Sequence, residues 1–366
     1  MVTPSSIWYT MTESLIHTFS KSTELHAHLS KILKDRGRIF ILADTNTAEH
    51  CLPLIQSMLP SEGRNVMLMD LAAGEEEKNL ETAIDLYTQL INYGADRDSL
   101  LINLGGGMVC DLGGFVASTF KRGIEFIHIP TTVLSQVDAA LGGKTGVNMG
   151  PLKNMIGTFK RPSQTLIFPE FLNTLPKSEV MSGFAEILKH ALIADKELWE
   201  TLIHAPYIDL PLIKSVIPQA MKVKEDIVQR DFEEQGERKK LNFGHTIGHA
   251  LESFVLESPE KDLLHGEAVA LGMICESYLS MKSKGISADQ LDSICEFIAA
   301  HFKPMDLDRM QFHRLIEIMR HDKKNKQSRI NFTLLNGIGD SVVDQEPEME
   351  DIMEALGFLE RYPFPA

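Results

Sequence analysis

The stretch LLINLGGGMVCDLGGFVAS, residues 100–118, decides the fold class. It begins with an apolar run typical of a buried strand, passes through three glycines at 105–107, and continues with a helical pattern from about Asp111. Glycines between a strand and a helix let backbone amides approach a phosphate at the helix N-terminus. The spacing departs from the GxGxxG fingerprint because Cys110 follows Gly107 by three residues. A tight strand-to-helix turn without a ligand is therefore an alternative interpretation.

Apolar runs on either side of this stretch lead in the same way into a Gly, Asp or Pro turn. Alternation of such runs with helical segments is typical of βαβ units and a mostly parallel sheet. Residues 75–94 space their apolar side chains at helical intervals and end at Gly94, which predicts a crossover helix. The predicted strands occupy residues 38–44, 65–70, 99–107, 125–132 and 165–170.

The pattern changes from about residue 172, where long amphipathic segments replace the apolar runs. Strand-like runs are almost absent there until INFTLL, near Ile330. We therefore predict an α/β region followed by an α region. An N-terminal Rossmann-like parallel-sheet domain would comprise residues 1–170, and a C-terminal all-α domain would comprise residues 171–366.

Composition and charge exclude several functional classes. The 366 residues carry 36 Lys and Arg against 51 Asp and Glu, a formal net charge of −15, which disfavours partners such as nucleic acid or a membrane surface. No window approaches the roughly 18 uninterrupted apolar residues of a membrane-spanning helix. Four isolated cysteines without a CxxC pair, and no visible secretory signal, predict a reduced cytoplasmic protein whose thiols are buried small apolar groups.

Acidic residues follow two other predicted strands. The segments ADTN, residues 43–46, and AGEEEK, residues 73–78, stand at these strand ends. Open α/β sheets bind nucleotides at the carboxyl ends of their strands, and an acid such as Asp44 can bind a ribose hydroxyl. These segments favour the nucleotide-binding interpretation of the glycines.

A second glycine-rich segment, PTTVLSQVDAALGGKTGVNMGPLKNMIG, occupies residues 130–157 and contains four polar or charged candidates: Asp138, Lys144, Lys153 and Asn154. Loop lysines are usually solvated, and that explanation stays open. Apolar neighbours such as Val147 indicate that the segment is packed, and packed cations need anionic partners. An anionic ligand would supply them.

Three motifs of the second half offer Glu or His among small apolar residues: GFAEILKHALI, NFGHTIGHALE and LLHGEAVALGM. His245 and His249 are four apart on a predicted helix and share one face, as a metal pair or a ligand-and-base pair requires. A single histidine on an apolar face is usually a core residue, but three such motifs favour a divalent metal site. Glu186, His245 and His265 would form a His₂Glu set with positions open for water or substrate, the catalytic zinc pattern.

Basic residues flank these motifs. Arg238 and Asn242 lie within two turns before the histidine helix, and Lys224 lies in a helical segment just upstream. Each base alone could be a solvated surface charge, but a metal flanked by several cations favours a multiply anionic small molecule. The basic residues concerned are Arg122, Lys224, Arg238, Lys323 and Lys324.

Together these motifs resemble the 3-dehydroquinate synthases of the sugar phosphate cyclases. The resemblance covers residues 38–339 and is carried by GGGMVCDLGGF, IPTTVLSQVDAALGGKTGVN, KNMIG, GFAEILKH, NFGHTIGHALE and LLHGEAVA. It implies a Rossmann-like domain and an α-helical domain, with NAD and a divalent metal, zinc or cobalt, in the cleft between them. The chain departs from the family only before about residue 21 and in a longer segment between the two histidine motifs.

The resemblance also implies roles for individual residues. Those similar to the metal ligands are Glu186, His245 and His265. Those similar to NAD contacts are Asp44, Asn46, Glu75, Lys78, Gly106, Gly107, Met108, Asp111, Thr131, Thr132, Phe171, Thr174 and Leu175, together with Asp138, Lys144 and Lys153. Those similar to the substrate-binding and catalytic set are Asp138, Lys144, Lys153, Asn154, Lys189, Lys224, Arg238, Asn242 and His249. Arg122 is similar to an arginine donated across a dimer interface, and one further family lysine corresponds to Lys323 or Lys324.

The implied reaction converts 3-deoxy-D-arabino-heptulosonate 7-phosphate into 3-dehydroquinate and phosphate, a step of the shikimate route to aromatic amino acids. NAD⁺ would take a hydride from the substrate and return it after phosphate elimination, so that the net reaction is not a redox reaction. The phosphate would be held by Lys144, Asn154, Asn242, His249 and Arg122, and the carboxylate by Lys224 and Arg238. The resemblance further implies a homodimer.

Three alternatives remain open. An iron- or zinc-dependent alcohol dehydrogenase of the glycerol dehydrogenase type shares the two-domain outline, but a small neutral polyol needs no such set of cations. Other sugar phosphate cyclases, which make 2-deoxy-scyllo-inosose or a valiolone, act on substrates without the carboxylate that Lys224 and Arg238 would bind. A nucleotide-binding module with a structural metal would show no turnover with any sugar phosphate.

Overall fold

The computed structural model describes residues 15–34, 36–59, 65–150, 152–257, 263–321 and 329–365. Lys323 and Lys324, the two candidates for one substrate-binding lysine, lie outside these residues. None of the described helices has both the length and the apolar character that crossing a bilayer requires.

Ten strands occur in the described part of the chain. They are β1 (Ile16–Thr18), β2 (Arg38–Asp44), β3 (Asn65–Leu71), β4 (Leu100–Gly105), β5 (Glu125–Pro130), β6 (Lys144–Met149), β7 (Leu152–Phe159), β8 (Gln164–Ile167), β9 (Phe332–Leu335) and β10 (Ser341–Gln345). Six of them form the parallel sheet of the Rossmann-like domain, in the order β1-β8-β5-β4-β2-β3. The strand order reverses between β2 and β4, so their carboxyl ends border the crevice where open α/β sheets bind ligands.

Helices flank the sheet and make up most of the second half. They are α1 (Ser22–Leu33), α2 (Thr45–His50), α3 (Leu52–Met58), α4 (Leu80–Asn92), α5 (Gly107–Thr119), α6 (Val133–Val137), α7 (Lys177–Ala194), α8 (Lys196–Ile203), α9 (Leu210–Arg230), α10 (His245–Leu256), α11 (His265–Lys282), α12 (Ala288–His301), α13 (Arg309–His321) and α14 (Met349–Arg361). The helical region also contains the antiparallel pair β9 and β10. The predicted order, an α/β region followed by a mostly helical one, is confirmed.

The hydrophobic core lies on both faces of the sheet and among the C-terminal helices. Ile39 and Ile41 of β2 pack with α1 and α3 on one face, while Phe40 and Leu42 pack with α4 and α5 on the other, as the alternation of side chains along a strand requires. A third, larger cluster joins α7 to the helices that follow, and α11 is buried at its centre. The cysteines at positions 51, 110, 275 and 295 are buried and free, as predicted.

Three features differ from the prediction. The three-residue strand β1 pairs with β8 and was not predicted, because so short a run shows no pattern. The second glycine-rich segment contains the antiparallel hairpin of β6 and β7. A Cβ on Gly157 would lie 2.2 Å from the Thr145 carbonyl oxygen, so the glycines that suggested a loop allow two strands to approach closely. The crossover helix begins at Leu80 rather than Glu75, because Glu75–Glu77 form a 3₁₀ turn.

Candidate active site

The carboxyl edge of the sheet places the candidate nucleotide contacts around the first turn of α5. Gly106 precedes this helix, which Gly107 and Met108 begin, and no side chain caps it. A Cβ on Gly106 would lie 3.2 Å from Thr132 Cγ2, so the Thr132 side chain, which follows the neighbouring strand β5, packs close to the Gly106 backbone. An uncapped helix N-terminus bordered by glycines offers backbone amides to a phosphate.

Two candidate cofactor contacts also cap helices. Asp44 ends β2 and accepts a hydrogen bond from the backbone N–H of Thr47 at 2.8 Å, which caps α2. Thr132 accepts one from the backbone N–H of Ser135 at 3.1 Å and caps α6. The sequence interpretation assigned both residues to the cofactor and did not include these structural roles.

The remaining candidate cofactor contacts differ in exposure. Thr131 is 3% exposed, and its hydroxyl has no hydrogen-bond partner among the described residues, a state that suits a hydroxyl facing a ligand. Phe171 is buried in the sheet core against another aromatic ring, so its backbone rather than its side chain can contact a ligand. Asn46, Glu75 and Thr174 are exposed and Leu175 is half-buried.

Lys78 is a buried cation that joins three segments. Its Nζ donates to Asp111 Oδ2 at 2.7 Å and to Asn154 Oδ1 at 2.6 Å. Burial lowers the pKa of Lys78, but Asp111 and Glu75 outweigh this effect and the net shift is upward, so the ammonium is retained. Lys78 therefore connects two other candidate residues, Asp111 and Asn154, at the edge of the sheet.

Glu186 of α7, His245 of α10 and His265 of α11 converge on one point. One ligand atom from each lies within 4.8 Å of the other two. Glu186 Oε1 is 3.4 Å from His245 Nε2 and 3.5 Å from His265 Nε2. Glu186 is 1% exposed, and neither oxygen has a hydrogen-bond partner of good geometry among the described residues, although Lys189 Nζ contacts one of them. A buried carboxylate facing two imidazole nitrogens fits a divalent cation such as Zn²⁺ or Co²⁺.

Close backbone packing brings the three helices of this His₂Glu cluster together. A Cβ on Gly272 of α11 would lie 2.0 Å from the Gly244 carbonyl oxygen and 2.8 Å from the Gly248 nitrogen. A Cβ on Gly266, in the first turn of α11, would lie 1.9 Å from the Ser182 carbonyl oxygen of α7. Only glycine fits at these crossings, so the distances between the candidate ligands are determined by helix–helix contact.

Glu276 of α11 holds the N-terminus of α10. Its buried carboxylate accepts hydrogen bonds from the backbone N–H groups of Gly244, Thr246 and Ile247 at 2.6, 3.0 and 3.2 Å. These donors belong to a helix start, where N–H groups lack intrahelical partners and negative charge is favourable. His245 lies within this turn, so Glu276 helps to determine where its imidazole projects.

The two histidines of the His₂Glu cluster have pKa values shifted in opposite directions. Burial lowers the pKa of His245 to about 3, which keeps this imidazole neutral. Burial also lowers the pKa of His265, but Glu186 and Glu252 outweigh it and raise the pKa to about 9. Burial raises the pKa of Glu186, yet Lys189 and His245 hold it well below its usual range. Metal ligands must be deprotonated, so a divalent cation would replace the proton that these carboxylates hold on His265.

Asp138 lies among three buried basic groups. Its Oδ1 is 2.9 Å from Lys224 Nζ and 3.5 Å from Lys189 Nζ. His190 Nε2 lies 3.3 Å from the same oxygen. Burial raises the pKa of Asp138, but Lys189 and Lys224 outweigh it and hold the pKa well below the usual range. Asp138 thus places two candidate substrate-binding lysines side by side, and Lys189 connects them to Glu186.

Glu234 contacts two residues predicted to bind phosphate. Lys144 Nζ forms an ion pair with its carboxylate, and Asn242 Nδ2 donates to its Oε1 at 3.1 Å. The Lys144 side chain is 46% exposed, and its partial burial lowers its pKa to about 8, although Glu234 raises it. One carboxylate reaches both side chains, so Lys144 and Asn242 lie within the span of a single anionic group.

The side chains of Arg238 and Lys224 both approach Gly142. A Cβ on this glycine would be 2.5 Å from Arg238 Nη2 and 3.6 Å from Lys224 Cε. Arg238 is 1% exposed, and its Nε has no hydrogen-bond partner among the described residues. Two adjacent buried cations with incomplete hydrogen bonding favour an anionic ligand.

Lys153 and His249 lie next to the His₂Glu cluster. Lys153 Nζ donates to Glu252 Oε1 at 2.7 Å, and Glu252 Oε2 is 3.5 Å from His265 Nδ1. The ring of His249 is centred 5.1 Å from that of His245 and 5.9 Å from that of His265. Residues of the hairpin therefore meet residues of α10 and α11 at one cleft.

Arg122 does not join these groups. It follows α5 in the 3₁₀ turn Phe120–Arg122, is exposed, and has a φ of +70°. In the part of the chain that the structure describes, its side chain forms no hydrogen bond or ion pair.

Three residues of the site were missed by the sequence interpretation: Glu234, Glu252 and Glu276. Glu252 follows His245 by seven positions and His249 by three, so its helical spacing could have placed it on their face. The partners of Glu234 and Glu276 lie on other elements, and no local pattern reveals them.

The fold and these groups define a class of protein: a Rossmann-like domain followed by a helical region that assembles a His₂Glu cluster beside buried cations. A 2-epi-5-epi-valiolone synthase from Streptomyces hygroscopicus subsp. jinggangensis, solved with NAD⁺ and Zn²⁺ bound, matches with a TM-score of 0.82 and 25% identity over 97% of this chain and 98% of that chain. A 2-deoxy-scyllo-inosose synthase complexed with carbaglucose-6-phosphate, NAD⁺ and Co²⁺ has the same fold, with a TM-score of 0.78 and 23% identity over 94% of this chain and 96% of that chain.

Sequence comparison identifies the family within this class. The family model for the 3-dehydroquinate synthase N-terminal part matches residues 68–182, and that for the C-terminal part matches residues 183–325. The 3-dehydroquinate synthase of Parabacteroides distasonis is 43% identical over 340 residues, 92% of this chain and 94% of that protein. The chain therefore belongs to the 3-dehydroquinate synthase family, and the resemblance of its motifs is confirmed.

Proposed function

We propose that the protein converts 3-deoxy-D-arabino-heptulosonate 7-phosphate into 3-dehydroquinate and phosphate, a step of the shikimate route to chorismate and the aromatic amino acids. The observation that carries this proposal is the presence of two groups of basic and amide side chains near one His₂Glu cluster. Lys144 and Asn242 share one carboxylate, and Lys224 and Arg238 adjoin at Gly142. A substrate with a phosphate and a carboxylate would use both groups.

Divalent metal, Zn²⁺ or Co²⁺, would be held by Glu186, His245 and His265. This choice is supported by Glu186 Oε1, which faces the Nε2 atoms of His245 and His265, and by the neutral His245 imidazole. NAD would lie along the uncapped N-terminus of α5, near the unpaired hydroxyl of Thr131. When bound, the metal acidifies a substrate hydroxyl and NAD⁺ accepts a hydride and returns it.

The chain's own residues would orient the substrate and move its protons. Lys144, Asn154, Asn242, His249 and Arg122 would hold the phosphate, and Lys224 and Arg238 the carboxylate. Asp138 keeps the ammonium groups of Lys189 and Lys224 in place, because its carboxylate lies within 3.5 Å of both. His249 is next to the His₂Glu cluster but outside it, a position that suits proton transfer.

A phosphate-release assay with the heptulosonate phosphate tests this function. We expect phosphate and 3-dehydroquinate to form in equal amounts, with no accumulation of NADH absorbance. A chelator should abolish turnover, and Zn²⁺ or Co²⁺ should restore it. Accumulation of NADH without phosphate would indicate a dehydrogenase, and no turnover with NAD and metal present would contradict the proposal.

A second candidate function is cyclisation of a sugar phosphate without a carboxylate. The fold similarity to 2-epi-5-epi-valiolone and 2-deoxy-scyllo-inosose synthases favours this alternative, whereas the adjacent cations Lys224 and Arg238 favour the acid substrate. Comparing kcat/KM for the heptulosonate phosphate and for a sugar phosphate without a carboxylate distinguishes the two functions. A higher kcat/KM for the carboxylate-free substrate would establish the second one.

We also propose that the protein is a cytoplasmic homodimer without nucleic-acid or membrane partners, with its domain boundary at residue 170. The hairpin of β6 and β7 exposes Met149, Leu152 and Phe159 by 59, 52 and 46%, and a subunit interface would cover such apolar side chains. The free buried thiols suit a reducing compartment. The 3₁₀ segment Pro169–Thr174 separates the sheet from α7 and supports the proposed boundary.

A further inference from the structure

Glu252 lies between the His₂Glu cluster and the hairpin of β6 and β7. Its side chain is 10% exposed, and each carboxylate oxygen faces a different partner. Oε1 accepts a hydrogen bond from Lys153 Nζ at 2.7 Å, and Oε2 lies 3.5 Å from His265 Nδ1. The carboxylate therefore contacts a strand of the hairpin and the first residue of α11 at the same time.

His265 presents its two ring nitrogens to two different carboxylates. Nε2 faces Glu186 at 3.5 Å, whereas Nδ1 faces Glu252 at 3.5 Å. A histidine that binds a metal through one nitrogen is commonly oriented by an acceptor at the other, which selects the tautomer and the plane of the ring. The position of Glu252 is that of such an acceptor.

We propose that Glu252 is a positioning residue that acts through His265 and Lys153. It holds His265 with Nε2 directed toward Glu186, and it anchors Lys153 so that the hairpin stays against the His₂Glu cluster. Metal affinity and the position of Lys153 are thereby coupled through one carboxylate. This inference rests on the metal site of the proposed function.

Direct ligation by Glu252 is the rival explanation, because His249, Glu252 and His265 also offer ligand atoms within 4.8 Å of one another. The contacts of the two carboxylates favour the positioning role. One oxygen of each carboxylate pairs with an ammonium: Glu252 Oε1 with that of Lys153, and Glu186 Oε2 with that of Lys189. The other oxygen of Glu186 faces two imidazole nitrogens, His245 Nε2 at 3.4 Å and His265 Nε2 at 3.5 Å, whereas Glu252 Oε2 lies 3.5 Å from His265 Nδ1. The carboxylate better prepared for a metal is that of Glu186.

Metal dissociation constants, measured by chelator competition without substrate, test the proposal. For Glu252→Gln we expect Zn²⁺ and Co²⁺ affinity to fall by about 10- to 100-fold, the usual effect of removing such an outer partner. The Co²⁺ absorption bands should keep their positions, because Glu186, His245 and His265 remain. The matched control is Glu257→Gln, which removes an exposed carboxylate just beyond the end of α10 and should leave affinity unchanged.

A double-mutant cycle tests the coupling. Lys153→Met should also weaken metal binding, and the double variant with Glu252→Gln should lose less affinity than the two single losses multiplied together, because both changes break the same contact. Independent effects of the two substitutions would overturn the coupling.

Each other outcome is also decisive. Unchanged metal affinity in Glu252→Gln, with a wild-type protein that binds metal, overturns the positioning role and leaves the proposed function intact. Shifted Co²⁺ bands would make Glu252 a ligand and overturn it as well. A wild-type protein that binds no divalent metal would overturn both proposals. If Glu252→Gln does not fold, Glu252→Asp replaces it. This variant keeps the charge but retracts the carboxylate by one methylene. Unchanged metal affinity in Glu252→Asp overturns the proposal.

Discussion

Lys144 has a pKa of about 8, so its ammonium group loses its proton only slightly above neutral pH. Burial lowers its pKa, and the carboxylate of Glu234 raises it in part. The same carboxylate accepts a hydrogen bond from Asn242, so Glu234 balances the charge of Lys144 and orients both residues proposed to hold phosphate. The charge available to the substrate at this point therefore depends on pH and on one neighbouring residue.

We expect kcat/KM for the heptulosonate phosphate to fall as pH rises through about 8, because Lys144 then loses the proton that phosphate binding requires. Glu234→Gln removes the group that raises this pKa, so the alkaline fall should move to lower pH. Steady-state kinetics from about pH 6 to about pH 10 measure the pH of the alkaline fall in the wild-type protein and in Glu234→Gln. The control is Glu237→Gln, which changes a glutamate in the segment that follows. If the alkaline fall does not move in Glu234→Gln, its assignment to Lys144 is contradicted.

His245 and His249 are neighbours on one helix with different proposed roles. We expect His245→Ala to lose bound metal, because it removes one of three ligands. His249→Ala should keep its metal and lose about 100-fold or more in kcat, the usual size of a proton-transfer contribution. Metal content after gel filtration and steady-state kinetics measure the contrast. Equal loss of metal in both variants would reassign His249 as a ligand.

At the scale of the element, the start of α10 depends on a side chain from α11. Glu276 accepts three backbone hydrogen bonds from the first turn of α10, which contains His245. A buried charged acceptor with several donors contributes more to stability than a surface ion pair, because its removal leaves the donors unsatisfied. Removing the Glu276 carboxylate would therefore disturb both the start of α10 and the position of His245.

We expect Glu276→Gln to reduce the free energy of unfolding by about 2 kcal/mol, because the amide retains one acceptor and sets its NH₂ group against backbone donors. Metal affinity should fall as well, since the turn that carries His245 loosens. Urea denaturation and chelator competition measure the two effects. Glu257→Gln again serves as the control, and loss of stability with unchanged metal affinity would show that the turn keeps its geometry without Glu276.

Sequence patterns predicted the elements that obey local rules. The strands β2 and β4 are continuous apolar runs because both faces of the sheet are covered, and α10 shows helical spacing of His245 and His249. Strand β1 has no local pattern and exists through its pairing with β8. The candidate ligands were recognisable within motifs, whereas Glu234 lies in a loop and pairs with Lys144, which is 90 residues away in the chain.

At the scale of the whole molecule, the candidate site combines groups from both halves of the chain. Lys78, Asp111 and Asn154 lie at the sheet, and Glu186, His245 and His265 lie on three helices. The contact between Lys153 and Glu252 connects the two sets. Arg122 is the exception, because it is exposed and forms no ion pair in the described ranges.

We expect Arg122 to act in the active site of a second subunit. Arg122→Ala and Lys224→Met should each lose most activity, and mixing them under conditions of subunit exchange should restore about a quarter of wild-type activity, since half of the dimers then contain one intact site of two. The phosphate-release assay measures the recovery. No recovery, despite subunit exchange seen by native mass spectrometry, would place Arg122 in its own chain's site or outside any site.

The glycine contacts between α10 and α11 have a consequence for engineering. Since Gly272 touches backbone atoms of Gly244 and Gly248, even a single added methyl group would force the two helices apart and spread the histidines that they carry. Libraries intended to change the preferred metal or sugar should therefore leave these glycines unvaried and diversify the side chains that line the cleft. The crossing of α10 and α11 has to stay fixed, and a new specificity has to come from the side chains around it.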